Sequence, residues 1–559
     1  MKSARTVRPA WVVAGASGWI ATVANIPLWR AMDSLELLAT PAGWSLAAAL
    51  ALMMAGCLAA VMSLLAWRAT LKPVVIVLLA IAAVGGYFMF AYNIVIDSAM
   101  LVNVLETDAH EAADLWSVWM PVSIALVAGV PAWMIWVTPV HHAPWTRQLA
   151  RNLSAAVAFL VLAVVAVMLA FQPLASSMRN HKQLRYMMNP MNSLYAAGLL
   201  ATSPLRRGPM KLAALGTDAA IAPSPTGKPP LMVLVLGETG RSGNFSINGY
   251  SRNTTPELQA LNVASSTNAW SCGTSTAASV PCMFSHLGQK GFQSRTQDNE
   301  NLLDVLRHAG LAVLWIDNQA GCKGVCDRVA SASTSAAADP QLCDKGECFD
   351  GILLEGIDAR IAALPAEARA RGVVLVLHQM GSHGPAYARR SPAQFKRFQP
   401  ECRSSNLQEC SREEVVNAYD NSIAYTDHFL ASTIHWLKGQ GQRWDTAMVY
   451  VADHGESLGE NNLYLHGLPY ALAPDVQKRV PWITWLSPGF ESRSGVTIDC
   501  VKKARGDLVT HDNYFHSVLG LLDVTTSAYD SSLNAYRACQ RETDPSMAQL
   551  AGRVAIAPH

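Results

Sequence analysis

Residues 271–282 read Ser-Cys-Gly-Thr-Ser-Thr-Ala-Ala-Ser-Val-Pro-Cys, a run of hydroxyls set between Cys272 and Cys282. In an oxidising compartment the two thiols could close a small rigid loop that holds one hydroxyl in a fixed direction. A serine or threonine hydroxyl is a weak nucleophile at neutral pH and needs a base or a metal ion to yield its alkoxide. Groups suited to hold such an ion stand elsewhere in the chain. Glu238 follows the apolar run 231–236, and Asp453 and His454 follow the apolar run 447–452. Both runs read as buried strands, and in an open parallel sheet the residues just past the strand ends converge on one crevice. Carboxylate oxygen and imidazole nitrogen suit Zn2+, and the nucleophile's own oxygen could complete a four-coordinate site. Each signal alone is weak, since a Ser/Thr-rich loop is ordinarily a turn and an Asp-His pair after a strand is often a helix cap. Their combination carries the reading.

The elements that must position these groups fall in two halves. Residues 231–559 alternate apolar strands at 231–236, 312–316, 373–377, 447–452 and 480–486 with helical stretches at 301–309, 351–364 and 413–437. That alternation predicts an α/β three-layer sandwich. Before it lie five apolar segments, near 10–28, 44–66, 74–96, 118–140 and 153–171, without acidic or basic residues in their interiors. Each is close to the roughly 20 residues that cross a bilayer. The first follows Lys2, Arg5 and Arg8 like a secretory signal, but four more spans follow it and no clean cleavage site appears, so it reads as retained. Between the halves, 178–186 is basic and amphipathic enough to rest on an anionic leaflet, and 208–230, rich in Gly, Pro and Ala, reads as an extended tether. The expected domains are 1–174, 175–230 and 231–559.

Orientation follows from the loops. The N-terminus, the 68–72 turn and the loop with Arg147 and Arg151 are basic, whereas the alternate loops carry Asp33 and Glu36, then Asp97, Glu106, Asp108, Glu111 and Asp114. Basic loops stay cytoplasmic, so five crossings place everything after residue 172 outside. The cysteines agree: of eleven, ten lie at or after residue 272, more than a reducing compartment favours. Cys57, within an apolar stretch, reads as a small core residue. A net charge of +2 without a long basic tract excludes a nucleic-acid binder.

Four segments in order, Gly237-Glu-Thr-Gly-Arg-Ser, Ser271-Cys-Gly-Thr-Ser-Thr, His378-Gln-Met-Gly-Ser-His-Gly-Pro385 and Ala452-Asp-His-Gly-Glu-Ser457, resemble those of the lipid A phosphoethanolamine transferases, which include the mobile colistin resistance enzymes. The resemblance extends over nearly the whole chain. It implies five transmembrane helices plus a periplasmic domain of the alkaline phosphatase/sulfatase-like fold, in a monomeric multi-pass protein of the bacterial inner membrane. It implies Thr276 as nucleophile, ahead of Thr274 and Ser275, and Glu238, Thr276, Asp453 and His454 as ligands of one tight zinc ion, with a second, weaker ion at most. Phosphatidylethanolamine would be the donor and lipid A phosphate the acceptor, and the product would bind polymyxin less well.

The same resemblance assigns substrate contacts to His383 and His466, a supporting role to His378, and a place near the donor head group to Lys323. From composition alone the acidic loop holding Asn103, Thr107 and Glu111 is a solvated helix on the membrane; the resemblance makes these three the lining of the donor pocket. Proximity and the family's local loops pair Cys272 with Cys282, Cys322 with Cys326, Cys343 with Cys348, Cys402 with Cys410 and Cys500 with Cys539, the alternative being a zinc ribbon or free thiols. Rival functions are the same chemistry on a core sugar such as Kdo or heptose, a membrane-bound phosphodiesterase or sulfatase-like hydrolase, and an inert sensor. Against a sulfatase, the 272–282 loop lacks the Cys/Ser-x-Pro-x-Arg motif that such enzymes mature.

Overall fold

The structure, a computed structural model, describes residues 6–540 apart from 108, 182, 208–210, 336, 338 and 345–346; the side chains of 109–111 and 203–207 also fall outside the description. The chain forms two compact units. The first is Met1–Gly208 with Ser404–Cys410 and Leu458–Leu472, and the second is the remainder.

In the first unit five helices are long and apolar enough to cross a membrane: Pro9–Ser34, Pro41–Leu64, Leu71–Tyr92, Trp119–Val137 and Trp145–Leu169. They overlap the five apolar segments read from the sequence. The last begins eight residues early because its first turns carry Arg147 and Arg151, which helix geometry accommodates as readily as apolar residues. The first span is interrupted by a tight turn at Val23–Asn25, and the helix resumes at Ile26 with Pro27 near its start, where the missing proline N–H costs nothing. Asn25 repairs the break: its Nδ2 donates to Ile20 O at 2.8 Å and to Asn189 O at 2.6 Å. Asn189 Nδ2 in turn donates to Ala82 O at 2.6 Å, so one buried amide pair joins the first and third spans. Gly56 brings the second and fifth spans together, since a Cβ there would lie 2.7 Å from Phe159 O.

The basic stretch expected on the membrane surface falls in the helices Phe171–Asn180 and Gln183–Tyr186. The expected tether is extended but not loose. Leu212–Ala213 pairs with Asp298–Asn299, Ala220–Ile221 pairs with Val524–Thr525, and the Thr226 hydroxyl donates to Asp445.

The second unit is built on an eight-stranded sheet. Its strands are β1 (Pro230–Gly237), β2 (Ala264–Trp270), β3 (Ala312–Asp317), β4 (Ala330–Ser333), β5 (Val373–His378), β6 (Asp445–Ala452), β7 (Arg479–Leu486) and β8 (Val509–Thr510). They lie in the order β8-β2-β7-β6-β1-β5-β3-β4. From β6 to β4 all neighbours are parallel; β7 alone runs against both of its partners. Every residue of β1, β3, β5 and β6 is buried, as expected where both faces of a parallel sheet are covered. The longest covering helix, Arg412–Gly439, starts at a Ser411–Glu414 capping box.

The helix expected at 351–364 is corrected. A short 3-10 turn at Asp350–Leu354 is followed by Gly356 at φ 65° and only then by the helix Ile357–Ala362. The left-handed glycine breaks the register, and Asp350 is held back by N–H donors from Met380 and Gly381 at 2.8 and 3.0 Å.

Asp427, buried on the long helix, caps the neighbouring helix Pro256–Ala260 by accepting from Glu257 N and Leu258 N, each at 2.9 Å. Burial pushes its carboxyl up to about 7. A carboxyl raised in the folded state contributes stability that is present below about pH 4 and lost as pH climbs through about 7. Thermal melting is therefore expected to fall between pH 5 and pH 8 by up to about 3 kcal/mol from this group. Asp427→Asn, which stays neutral and keeps one acceptor, is expected to flatten that slope; an unchanged slope would remove Asp427 as its source.

Candidate active site

Four adjacent parallel strands deliver the polar groups in a row. Asp453 and His454 follow β6, Glu238 follows β1, His378 ends β5 and Asp317 ends β3. The hydroxyl-rich segment follows β2 and turns into the helix Thr276–Met283, so that Thr276 stands in its first turn. The Cys272–Cys282 disulfide ties the approach to that helix to its last turn. Such a cross-link removes freedom from the unfolded chain and fixes the direction in which the helix start points.

Thr276 Oγ1 donates to Glu238 Oε2 at 3.0 Å and lies 3.5 Å from His454 Nε2. His454 Nε2 is 3.4 Å from Glu238 Oε1 and 3.3 Å from Asp453 Oδ2. The other imidazole nitrogen, Nδ1, donates to Gly455 O at 2.9 Å, which turns Nε2 toward the cluster. Asp453 Oδ1 accepts from Thr239 N at 3.0 Å and His454 N at 2.7 Å, while Oδ2 is buried without a hydrogen-bond partner. Thr239 adopts φ 59°, rare for a β-branched residue, and donates through Oγ1 to Glu238 Oε1 at 2.6 Å.

Two carboxylates within this dry space need a positive charge. Burial first, and then the Glu238 charge, push the Asp453 carboxyl well above its usual range. Burial opposes charge on His454, but Asp453 and Glu238 outweigh it and hold the imidazolium. A divalent cation would take the place of that proton. Ligand atoms of Glu238, Asp453 and His454 lie within 4.8 Å of one another, all three residues are buried, and Asp453 Oδ2, without a hydrogen bond, has the His454 imidazolium nitrogen 3.3 Å away. The donor set of oxygen and nitrogen fits zinc.

Behind this cluster, His378 Nδ1 is 3.0 Å from Asp317 Oδ2, which also accepts from Trp315 Nε1 at 2.7 Å. Gln319, two residues past β3, reaches Glu238 Oε2 at 3.4 Å through its amide nitrogen. His383 lies in the loop after β5, where Arg390 Nε donates to its carbonyl at 2.9 Å. Lys323, at φ 51°, sits inside the Cys322–Cys326 disulfide loop with Nζ on Ala320 O at 3.2 Å. Cys343–Cys348 and Cys500–Cys539 are bridged, Cys402 and Cys410 are also disulfide-bonded, and Cys57 is free.

The remaining candidates belong to the first unit. Asn103 lies on the helix Ser98–Glu106 and accepts at its carbonyl from Thr107 Oγ1 at 2.7 Å. His466 is carried by Leu458–Leu472, and the side chain of Glu111 is outside the described residues.

His511 went unnoticed in the sequence. Fully buried, it accepts from Cys272 N through Nδ1 at 3.1 Å and contacts Ala452 O through Nε2 at 3.1 Å, so one ring joins the segment leading to Thr276 to the end of β6, next to Asp453. Burial pushes it down to about 3, which keeps the ring neutral and able to do both. Ser279 adds a second tie, donating to Asp453 O at 2.5 Å. Nothing in the sequence marks His511, which follows a strand only two residues long. Asp317 was within reach of the strand-end rule that found Glu238.

Gly381 closes the site from the side of β5. It adopts φ 54°, and a Cβ there would lie 2.6 Å from Glu238 O. Gly381→Ala is expected to cost about 2 kcal/mol or more, from left-handed strain and the clash together, and to lower turnover by displacing Glu238. Melting and activity assays on one preparation check this; parent-like values would mean that the loop moves aside.

Comparison with known proteins identifies two families. The sulfatase family matches residues 230–524, and the family described as phosphoethanolamine transferase EptA/EptB matches residues 54–204. The chain is 38% identical over 486 residues to the phosphoethanolamine transferase EptA of Escherichia coli, covering 85% of this chain and 86% of that one. It is 37% identical over 533 residues to the phosphatidylethanolamine transferase Mcr-1 of Escherichia coli, covering 93% and 96%. Among solved structures, the integral membrane lipooligosaccharide phosphoethanolamine transferase A of Neisseria meningitidis superposes with a TM-score of 0.91 at 31% identity, over 96% of this chain and all of that one.

Proposed function

Because the chain belongs to the phosphoethanolamine transferase family of EptA and EptB, we propose that it moves phosphoethanolamine from phosphatidylethanolamine to a phosphate of lipid A, with Thr276 as the covalent carrier. It is a multi-pass inner-membrane protein whose catalytic unit faces the periplasm. The observation that carries the reading is the Thr276 hydroxyl, 3.0 Å from Glu238 Oε2 and 3.5 Å from His454 Nε2 in a buried oxygen-nitrogen cluster.

Glu238, Asp453, His454 and the Thr276 oxygen would hold a zinc ion, which when bound supplies the positive charge that favours a nucleophilic oxygen and a more negative phosphoryl group. The chain's own residues account for the rest. Thr276 points its proton at Glu238, which can accept it as Oγ1 attacks phosphorus. The Thr276 Oγ1–P bond forms, the P–O bond to diacylglycerol breaks, and diacylglycerol leaves as the alcohol with a proton. In the second half a lipid A phosphate oxygen attacks that phosphorus, a P–O–P linkage forms, the Thr276 Oγ1–P bond breaks, and Thr276 regains a proton from the acceptor phosphate's hydroxyl by way of Glu238. His383 and His466 are proposed to bind the transferred phosphate or to protonate the leaving oxygen, with His378 supporting them. Lys323, Asn103, Thr107 and Glu111 are proposed to hold the donor head group. The modified lipid A carries an added ammonium, which weakens attraction for cationic polymyxins.

A carrier predicts ping-pong kinetics. Full-length protein incubated with phosphatidylethanolamine and no acceptor is expected to gain one phosphoethanolamine on the peptide containing Thr276, read by mass spectrometry, and to lose it when lipid A is added. Turnover without any adduct, under conditions that trap phosphothreonine, would replace this route with direct transfer.

A further inference from the structure

The outer ends of the first and third spans leave a cavity that the transfer reaction does not use. It has a volume of about 220 Å3 and is lined wholly by the first unit. Its lining is apolar at Pro27, Met89 and Phe90 and polar at Arg30, Asp33, Asn93, Asn461 and Asn462. Asn93, Asn461 and Asn462 all adopt left-handed backbone, at φ 54°, 51° and 59°. Asparagine tolerates that conformation better than most residues, and here it turns the chain sharply at the cavity's edge. The Arg30 guanidinium stacks 4.3 Å above the Phe90 ring, which uses its face and leaves its in-plane N–H donors for another partner.

Both spans end on the periplasmic side, so the cavity lies at lipid head-group depth. A cation and an anion one helical turn apart, in a cavity that apolar residues also line, match a zwitterionic head group with a primary ammonium. The guanidinium suits the phosphodiester, the carboxylate suits the ammonium, and the apolar lining suits the glycerol end. Five residues beyond Asn462, Gly467 approaches the helix of Asn103, where a Cβ would lie 2.8 Å from Met100 Cε and 3.4 Å from Asn103 Nδ2. One segment therefore borders the cavity at one end and the proposed donor residues at the other.

We propose that this cavity is a second head-group site, occupied by an ethanolamine phospholipid that is held rather than consumed and that steadies the segment bearing His466. The proposal rests on the transferase reading only for which head of lipid serves as donor at Asn103.

The test is native mass spectrometry of the full-length Thr276→Ala variant, which cannot deplete bound donor by transfer, delipidated in detergent and titrated with short-chain phosphatidylethanolamine. Parallel arms use phosphatidylcholine, phosphatidylglycerol and soluble phosphoethanolamine. Two bound phosphatidylethanolamine molecules are expected, with Asn103→Ala weakening one and Arg30→Gln weakening the other by about tenfold or more. Asp33→Asn is expected to erase the preference for ethanolamine over choline and glycerol heads. Asn93→Ala serves if Arg30→Gln is not monodisperse. Unchanged stoichiometry and affinity in Arg30→Gln and Asp33→Asn overturns the second site, as does equal occupancy by soluble phosphoethanolamine. Loss confined to Asn103→Ala also overturns it while leaving the transferase reading standing.

Discussion

Thr276→Ala is expected to lower transfer by on the order of 10^4-fold or more, with the folded protein intact. The side chain is small and its shorter hydrogen bond is to Glu238, with His454 Nε2 at 3.5 Å, so its removal takes the proposed carrier oxygen and little packing. Two neighbours provide the contrast. Ser275 is the residue before the helix and makes no side-chain capping bond, and Thr274 lies two residues ahead of Thr276. Ser275→Ala and Thr274→Ala are expected to stay within about tenfold of the parent. Thr276→Ser keeps an oxygen and is expected to fall between. Mass spectrometry of lipid A from cells expressing each variant reads the outcome, and full modification by Thr276→Ala would remove Thr276 as carrier. The phosphoethanolamine-bearing species also separates lipid A from a core sugar as acceptor.

The second large effect concerns the cluster itself. Asp453→Asn keeps the acceptor for Thr239 N and His454 N but puts an amide where Oδ2 stands 3.3 Å from His454 Nε2. It also removes a buried like charge beside Glu238. The variant is therefore expected to melt no lower than metal-free parent while retaining zinc at least about 100-fold less tightly and losing transfer. Elemental analysis of zinc per chain, with chelation and re-addition on the parent, checks this. A variant that holds stoichiometric zinc and still transfers would detach Asp453 from the metal. A variant that unfolds would instead mark Asp453 as structural, and Glu238→Gln then carries the test, because Glu238 bonds Thr276 directly.

The sheet's centre was legible because parallel strands buried on both faces must be apolar throughout, and 231–236, 312–316, 373–377 and 447–452 are. The acidic and imidazole groups just past those runs were legible for the same reason, since a charge at the end of a greasy strand has to face a crevice. What escaped lay at the margins. Ala264–Trp270 carries Ser265, Ser266, Thr267 and Asn268, a polar run that periodicity alone would assign to a loop, yet it pairs with β7 and leads into the segment of Thr276. Ala330–Ser333 is a mostly exposed edge strand without a large apolar residue. His511 follows a strand two residues long, and its two backbone contacts exist only after the chain has folded. The split at Gly356 is a backbone event that the apolar pattern of 351–364 conceals.

Two short excursions from the globular half's sequence belong to the membrane-embedded unit. In Ser404–Cys410 the Gln408 amide donates to Phe90 O and Ala91 O, and Tyr92 reaches Ser405 O; in Leu458–Leu472 Gly467 meets Met100. A water-soluble fragment cut at residue 230 would thus carry both excursions without their companions. It would retain every atom of the Glu238–Asp453–His454 cluster, so metal content is a poor proxy for competence in such a truncation. Leu407, Leu465 and Leu468 are buried in the full chain, and to the extent that truncation bares them the fragment would self-associate, which makes full-length protein the sounder target for inhibitor screens.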